Sequence, residues 1–89
     1  MFTRLAPQRA RHSSGFIVQV ADRHSVDYIE GNIGATVDVE FGPVSTVYGK
    51  TLKANDGGSA KIVQERRDEI LAHIIEGLKF LGGKYELVG

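Results

Sequence analysis

Two carboxylates alternate with apolar side chains in the segment GATVDVEFG, residues 34–42. Asp38 and Glu40 are two positions apart, and side chains two positions apart on a strand point to the same side of a sheet. A carboxylate pair can act as general acid and base when one member is buried, which raises its pKa, and the other stays hydrated. Two acids on one face share one environment. The pattern therefore favours a hydrated face, or a surface for a basic partner, over a catalytic pair.

Histidine is the second residue type here that could do chemistry. Asp22, His24 and Ser25 lie in one predicted turn, but such close neighbours do not form a nucleophile, a base and an orienting acid unless the fold bends them together. A metal site would need further ligands, and no other histidine is near in the sequence. His73 follows Glu69 by four residues on a predicted helix, where an i,i+4 pair accounts for it. We expect no catalytic residue, no metal site and no cofactor, and thus no enzyme.

Periodicity indicates the elements that carry these residues. Four segments rich in β-branched and aromatic residues, separated by short turns, are typical of an antiparallel meander. They cover residues 15–22, 25–31, 35–41 and 45–52. From Ser59, a suitable N-cap, apolar residues recur every three or four positions and predict one amphipathic helix of roughly twenty residues. Gly82 and Gly83 suit its end, and residues 84–88 predict a last strand.

The predicted fold is α+β, with the element order β-β-β-β-α-β. An antiparallel sheet of about four to five strands would carry one long amphipathic helix on one face. Residues 1–14 contain Pro7 and lack periodicity, so we interpret them as a flexible basic arm and residues 15–89 as a single domain. Gly77 costs the helix about 1 kcal/mol relative to alanine. We expect the helix to approach the sheet closely at that position.

Charge is distributed unevenly along a chain whose formal net charge is zero. The predicted arm carries Arg4, Arg9 and Arg11 and no acid. Five acids follow between residues 22 and 40, and we assign them as the candidate partner-binding residues. They are Asp22, Asp27, Glu30, Asp38 and Glu40. Because phosphate binding needs a basic field, an acidic domain argues against nucleic acid and favours a basic protein partner.

The chain contains no cysteine, which excludes disulfides and cysteine-ligated zinc. It has no apolar run of the kind found in signal peptides or membrane spans. We therefore expect a cytoplasmic protein that does not act at a membrane. A domain of this size gains only a few kcal/mol of net stability, so a dimer or a bound partner would help it.

Residues 52–88 resemble a known family. The turn, the helix with its Ile and Leu stripe, and the segment LKFLGGKYE are similar to the C-terminal half of the immunity protein 74 family, found in bacteria beside toxins of polymorphic secretion systems. Members of this family end in a helix, a glycine stop and a short strand. The chain departs from the family in lacking Trp and prolines in the turn before the helix. The resemblance implies a non-enzymatic protein that binds and neutralises a cognate toxin.

The leading hypothesis is thus an immunity protein that binds a basic toxin through an acidic sheet and loop surface. One alternative is a small nucleic-acid-associated domain that uses the basic arm, together with Arg66 and Arg67. Another is a homodimeric structural module in which a helix or an exposed strand edge pairs with its twin.

Overall fold

The computed structural model describes residues 1–55 and 60–89. Seven strands and two helices follow one another along the chain. The strands are β1 (Phe2–Ala6), β2 (Arg9–His12), β3 (Ile17–Val20), β4 (Ser25–Glu30), β5 (Ile33–Glu40), β6 (Ser45–Ala54) and β7 (Tyr85–Val88), and the helices are α1 (Ala60–Glu65) and α2 (Arg67–Leu81). The strands form one sheet in chain order. Neighbouring strands are antiparallel except β6 and β7, which are parallel because the two helices connect them.

This architecture corrects the predicted fold class. Seven strands replace the expected four to five, and two short helices replace the single long one. The helix prediction was wrong because the apolar stripe runs through a change in the backbone. Val63 and Ile70 are seven residues apart and both buried, whereas Arg66 between them has φ −105° and ψ 19°, which is not helical. The expected N-cap, Ser59, lies outside the described residues.

The first fourteen residues do not fit the interpretation as a flexible arm. β1 pairs with β2, and β2 pairs with β3, so this segment extends the sheet. These strands are hard to recognise in the sequence because the residues that face the helices include basic, aromatic and small side chains. They are Phe2, Arg4, Ala10 and His12. Such a set shows no alternation of large apolar residues, which is the signal that predicts a strand.

One face of the sheet packs against the helices, and the core lies between them. Alternate strand residues such as Val18, Val26 and Val37 are fully buried there, together with Ile70 and Ile74 of α2. This alternation is the pattern of a sheet with one covered face. We call this side of the sheet the covered face.

Gly77 lies where α2 crosses β3. A Cβ atom built on Gly77 would lie 2.7 Å from the Cβ of Val18, a separation that real side chains do not reach. The predicted close approach of helix and sheet is therefore confirmed, and it explains a glycine inside a helix.

The opposite side of the sheet, which we call the outer face, carries no helix in the described part of the chain. Its side chains stand in rows across the strands, because the register places residues of neighbouring strands opposite one another. One row holds Arg9, Gln19, Asp27, Thr36 and Lys53. A second row holds Thr3, Arg11, Ile17, Ile29 and Gly34. A third row brings Ser25, Asp38 and Tyr48 together.

The chain forms one small domain that measures 34 × 27 × 20 Å. The shortest dimension corresponds to two layers, since a sheet and the helices packed on it are each about 10 Å thick. Among the described residues, no helix combines the length and the apolar character needed to cross a membrane.

Candidate functional site

The five candidate acids do not form one surface. Asp27, Asp38 and Glu40 lie on the outer face, because they alternate with the buried residues of β4 and β5. Asp22 lies in the turn between β3 and β4. Glu30 lies on the covered face, two residues after the buried Tyr28. The structure therefore brings Asp22, Asp27, Asp38 and Glu40 to one side of the sheet and separates Glu30 from them.

The carboxylates of the outer face make few hydrogen bonds among the described residues. Asp27 accepts a hydrogen bond from Thr36 Oγ1 at 2.9 Å, and Glu40 accepts one from the Tyr48 hydroxyl at 2.8 Å. The bond to Glu40 raises the pKa of Tyr48, because it favours the protonated phenol. The carboxylate of Asp38 has no hydrogen bond and no ion pair among the described residues. We call Asp27, Asp38 and Glu40 the acidic patch.

A shallow depression of about 570 Å³ joins the acidic patch to the β3–β4 turn. Asp22, Thr36, Asp38 and Lys53 are among the residues that line it. The Asp22 carboxylate accepts a hydrogen bond from the backbone N–H of His24 at 2.8 Å, which lowers the pKa of Asp22 and keeps it charged. Arg23 and Lys53 also line the depression and equal its two acids in number, so the depression is mixed in sign with no excess of acids.

Two arginines occupy the other end of the outer face. Arg9 and Arg11 lie on β2, where they alternate with the buried Ala10. Neither guanidinium has an ion pair or hydrogen bond within residues 1–55 and 60–89. We call Arg9 and Arg11 the basic edge. The outer face is thus positive at β2 and negative at β4 and β5.

Glu30, in contrast, is the centre of a dense polar cluster on the covered face. Arg66 donates from Nη1 to Oε2 at 3.2 Å and from Nη2 to Oε1 at 3.0 Å. The hydroxyl of Tyr28 also donates to Glu30 Oε1. The bonds from Arg66, and then the bond from Tyr28, hold the pKa of Glu30 below its usual value. The pKa of Tyr28 is raised, first by burial and then by its bond to Glu30. These contacts tie β4 to the junction of α1 and α2.

His73 and Glu69 of α2 complete this cluster. The Tyr28 oxygen lies 3.1 Å from Nδ1 of His73 and can accept a hydrogen bond from the Nδ1–H group, since the Tyr28 hydroxyl donates to Glu30. Arg66 also pairs with Glu69. One ligand atom from each of Glu30, Glu69 and His73 would lie within 4.8 Å of the others, a spacing that a metal ion could bridge. Arg66 already binds both acids, however, and its positive charge opposes a cation at this point.

Stacked rings attach the first two strands to the helix. The Phe16 ring lies between His12 and His73, with centroid distances of 4.8 Å and 4.2 Å and nearly parallel planes. Phe2 continues the contact by stacking on Phe80 of α2 at 5.4 Å. Aromatic contacts of this kind stabilise packing beyond the apolar area that they bury. His12 and His73 therefore act as packing groups in this wall of rings.

Sequence reasoning missed this cluster, although one signal was available. The alternation that puts Val26 and Tyr28 on the covered face also puts Glu30 there. The sequence indicates Arg66 only as a contact in the alternative nucleic-acid function, yet its side chain is only 28% exposed. The pairing of Glu30 with Arg66 spans 36 residues, and no local pattern indicates it.

Comparisons of the chain with models of known protein families, with curated proteins and with solved structures found no match. The resemblance to the immunity protein 74 family stays a prediction that rests on residues 52–88.

Proposed function

We propose that the protein is a non-enzymatic immunity protein that acts in the bacterial cytoplasm. It would bind a basic toxin through the acidic patch on the outer face and thereby block the toxin. The observation that carries this proposal is the position of the acidic patch on a sheet face that no helix covers in the described part of the chain. Carboxylates that do not neutralise a cation of their own chain remain available to a partner.

The chemistry of the acidic patch suits recognition rather than bond cleavage. Asp38 and Glu40 share one hydrated face, so their surroundings do not separate an acid from a base. Opposite charge across an interface speeds encounter and discriminates between partners. The backbone beneath is a sheet interior, which holds the carboxylates on a rigid surface and lowers the ordering cost of binding.

The polar cluster around Glu30 suits a structural role. Both oxygens of Glu30 are bound by Arg66, so neither is free to take a proton from a substrate. Its hydrogen bonds connect β4 with the helices, which fixes the sheet whose other side carries the acidic patch. The cluster thus supports the surface instead of acting on a ligand.

The test is protection of growth by coexpression. The proposal predicts that a large secreted protein with a variable C-terminal domain is encoded immediately upstream, and the probe is that domain, expressed where it arrests growth. We expect the parent chain to restore growth and to form an equimolar complex with that domain. The double variant Asp38→Lys with Glu40→Lys should fold normally and bind at least tenfold more weakly, because it places like charges against a basic surface.

A matched control variant tests whether the position of the reversed charges matters, beyond the change in net charge. Glu65→Lys with Asp68→Lys makes the same change in net charge on the exposed side of the helices, where these side chains are 62% and 97% exposed. It should protect as well as the parent does. Equal protection by the Asp38 and Glu40 variant would refute the acidic patch as the binding surface. An upstream gene of another kind, or a toxin domain that the parent does not neutralise, would refute the immunity function.

A further inference from the structure

The outer face carries charges whose arrangement is complementary to itself. Arg9 and Arg11 lie on β2 and the acidic patch lies on β4 and β5, so β3 and β4 lie midway between β2 and β5. Strands are about 4.8 Å apart, so β2 and β5 are separated by about 14 Å. A surface that is positive at one end and negative at the other can pair with a second copy of itself in reversed order.

Two apolar residues of this face lie midway between β2 and β5. Ile17 of β3 and Ile29 of β4 are directly opposite each other in the register. Both are half-buried, and neither belongs to the core beneath the helices. An interface of ordinary composition has an apolar centre and a polar rim. The two isoleucines supply that centre, and the charged groups supply the rim on either side.

Only one orientation of a two-fold axis satisfies both features. An axis parallel to the strands, above the gap between β3 and β4, places β2 of one copy over β5 of the other. Ile17 of each copy then lies over Ile29 of its partner. An axis perpendicular to the strands would instead place β2 over β2 and bring the arginines of both copies together, which like charge opposes.

The same axis brings the basic edge onto the acidic patch. Arg9 shares its row with Thr36, so Arg9 of one copy lies over Thr36 of the other. Asp27 is the direct neighbour of Thr36 across the strands, and Asp38 lies about 7 Å further along β5. Each carboxylate is within the span of an arginine side chain when two sheets pack about 10 Å apart. The arrangement occurs twice in a two-fold dimer.

We propose that two copies of the chain pair outer face to outer face as a two-fold symmetric sandwich of sheets. Arg9 and Arg11 of each copy bind Asp27 and Asp38 of the other, and Ile17 and Ile29 form the centre. The long and middle dimensions of the domain, 34 and 27 Å, give this face an area of the same order as the roughly 800 Å² that each partner buries in a standard interface.

The experiment is complementation between charge-reversed variants, followed by sedimentation velocity over a range of concentrations. One variant carries Arg9→Glu with Arg11→Glu, and the other carries Asp27→Lys with Asp38→Lys. Each alone should dimerise about 100-fold or more weakly than the parent, because like charges then meet. An equimolar mixture should form a heterodimer, since every contact in it again joins opposite charges.

Matched controls keep the result interpretable. Lys61→Glu with Lys79→Glu reverses two charges on the exposed surface of the helices and should leave dimerisation unchanged. Circular dichroism checks that each variant is folded. If a reversed variant does not fold, Arg9→Gln with Arg11→Gln replaces the first and should weaken the dimer about tenfold or more. A parent that stays monomeric, a dimer that charge reversal leaves intact, or a mixture that fails to recover the dimer would each overturn the proposal.

The dimer and the proposed toxin complex use the same face and therefore exclude each other. The Arg9 and Arg11 variant separates the two proposals, because it removes the dimer contacts and leaves the acidic patch unchanged. It should bind the toxin domain at least as tightly as the parent does. Loss of the dimer with toxin binding retained supports both proposals, whereas a failure of either measurement affects only the proposal that it tests.

Discussion

Glu30 and Asp38 lie on neighbouring strands, yet the two sides of the sheet give them different roles. Glu30 faces the helices, and Arg66 and Tyr28 bind both of its oxygens. Asp38 faces outward, and its carboxylate has no partner among the described residues. The side of the sheet on which an acid lies therefore decides whether it is bound within the fold or left without a partner there. A shift of one residue along the strand would reverse that side.

The arginines repeat the same contrast. Arg66 reaches β4 from the helix junction and neutralises two acids, Glu30 and Glu69. Arg9 and Arg11 are on the outer face without an ion pair in the described part of the chain. The charged groups of the Glu30 cluster are thus paired with one another, whereas Arg9, Arg11 and Asp38 of the outer face have no ion pair among the described residues.

The largest effect should come from placing a charge beneath the helix. Ile74 is fully buried between α2 and the sheet, so Ile74→Asp would bury an unpaired carboxylate and should unfold the domain at room temperature. Ala72→Asp introduces the same residue on the exposed side of α2 and should leave the melting temperature nearly unchanged. Thermal unfolding followed by circular dichroism measures both. If Ile74→Asp melts at the same temperature as the parent, the side of α2 that packs on the sheet has been assigned wrongly.

A smaller effect should distinguish the two acids themselves. Glu30→Gln removes the charge that Arg66 and Tyr28 bind and should lower the free energy of unfolding by about 1–3 kcal/mol. Asp38→Asn removes a charge from the outer face and should change that free energy by less than about 0.5 kcal/mol. Urea titration of both variants gives the comparison. Equal losses would mean that the fold depends on the charge of Glu30 no more than on the charge of Asp38.

The pH dependence of stability should show the smallest effect. The pKa of Glu30 is lower in the folded chain than the usual 4.5, so its contribution to stability is complete above that value and is lost as the pH falls through the folded pKa. The parent should therefore lose stability on acidification more steeply than Glu30→Gln does. Free energies of unfolding measured from about pH 7 to pH 3 test this. Parallel curves for the two proteins would contradict the assignment of Glu30.

Local sequence patterns predicted the strands from β3 onward better than the first two strands. The β-branched and aromatic segments indicated β3, β4, β5 and β6, and Gly77 indicated the close approach of helix and sheet. The strands β1 and β2 could not be recognised, because their helix-side positions include Arg4 and His12 in place of large aliphatic residues. Their place in the sheet depends on ring contacts with α2, which are distant in sequence.

The candidate site shows the same limit. The alternation in β5 correctly assigned Asp38 and Glu40 to one exposed face. The alternation in β4 implies that Glu30 faces the core. The assignment of all five acids to one partner-binding surface rested on their charge and did not use this alternation. The partner of Glu30, Arg66, lies beyond two strands and a helix, and only the tertiary structure brings them together. Charge counts therefore identified an acidic segment, and the fold determined which of its acids form a surface.

Carboxyl labelling with a carbodiimide and an amine, quantified by mass spectrometry at low protein concentration, tests the central contrast most directly. Asp38 should react nearly as fast as Asp68, whose side chain is 97% exposed. Glu30 should react several-fold more slowly, because its oxygens are bound and its side chain is 33% exposed. Equal labelling of Glu30 and Asp38 would contradict the assignment of one acid to the fold and the other to a binding surface.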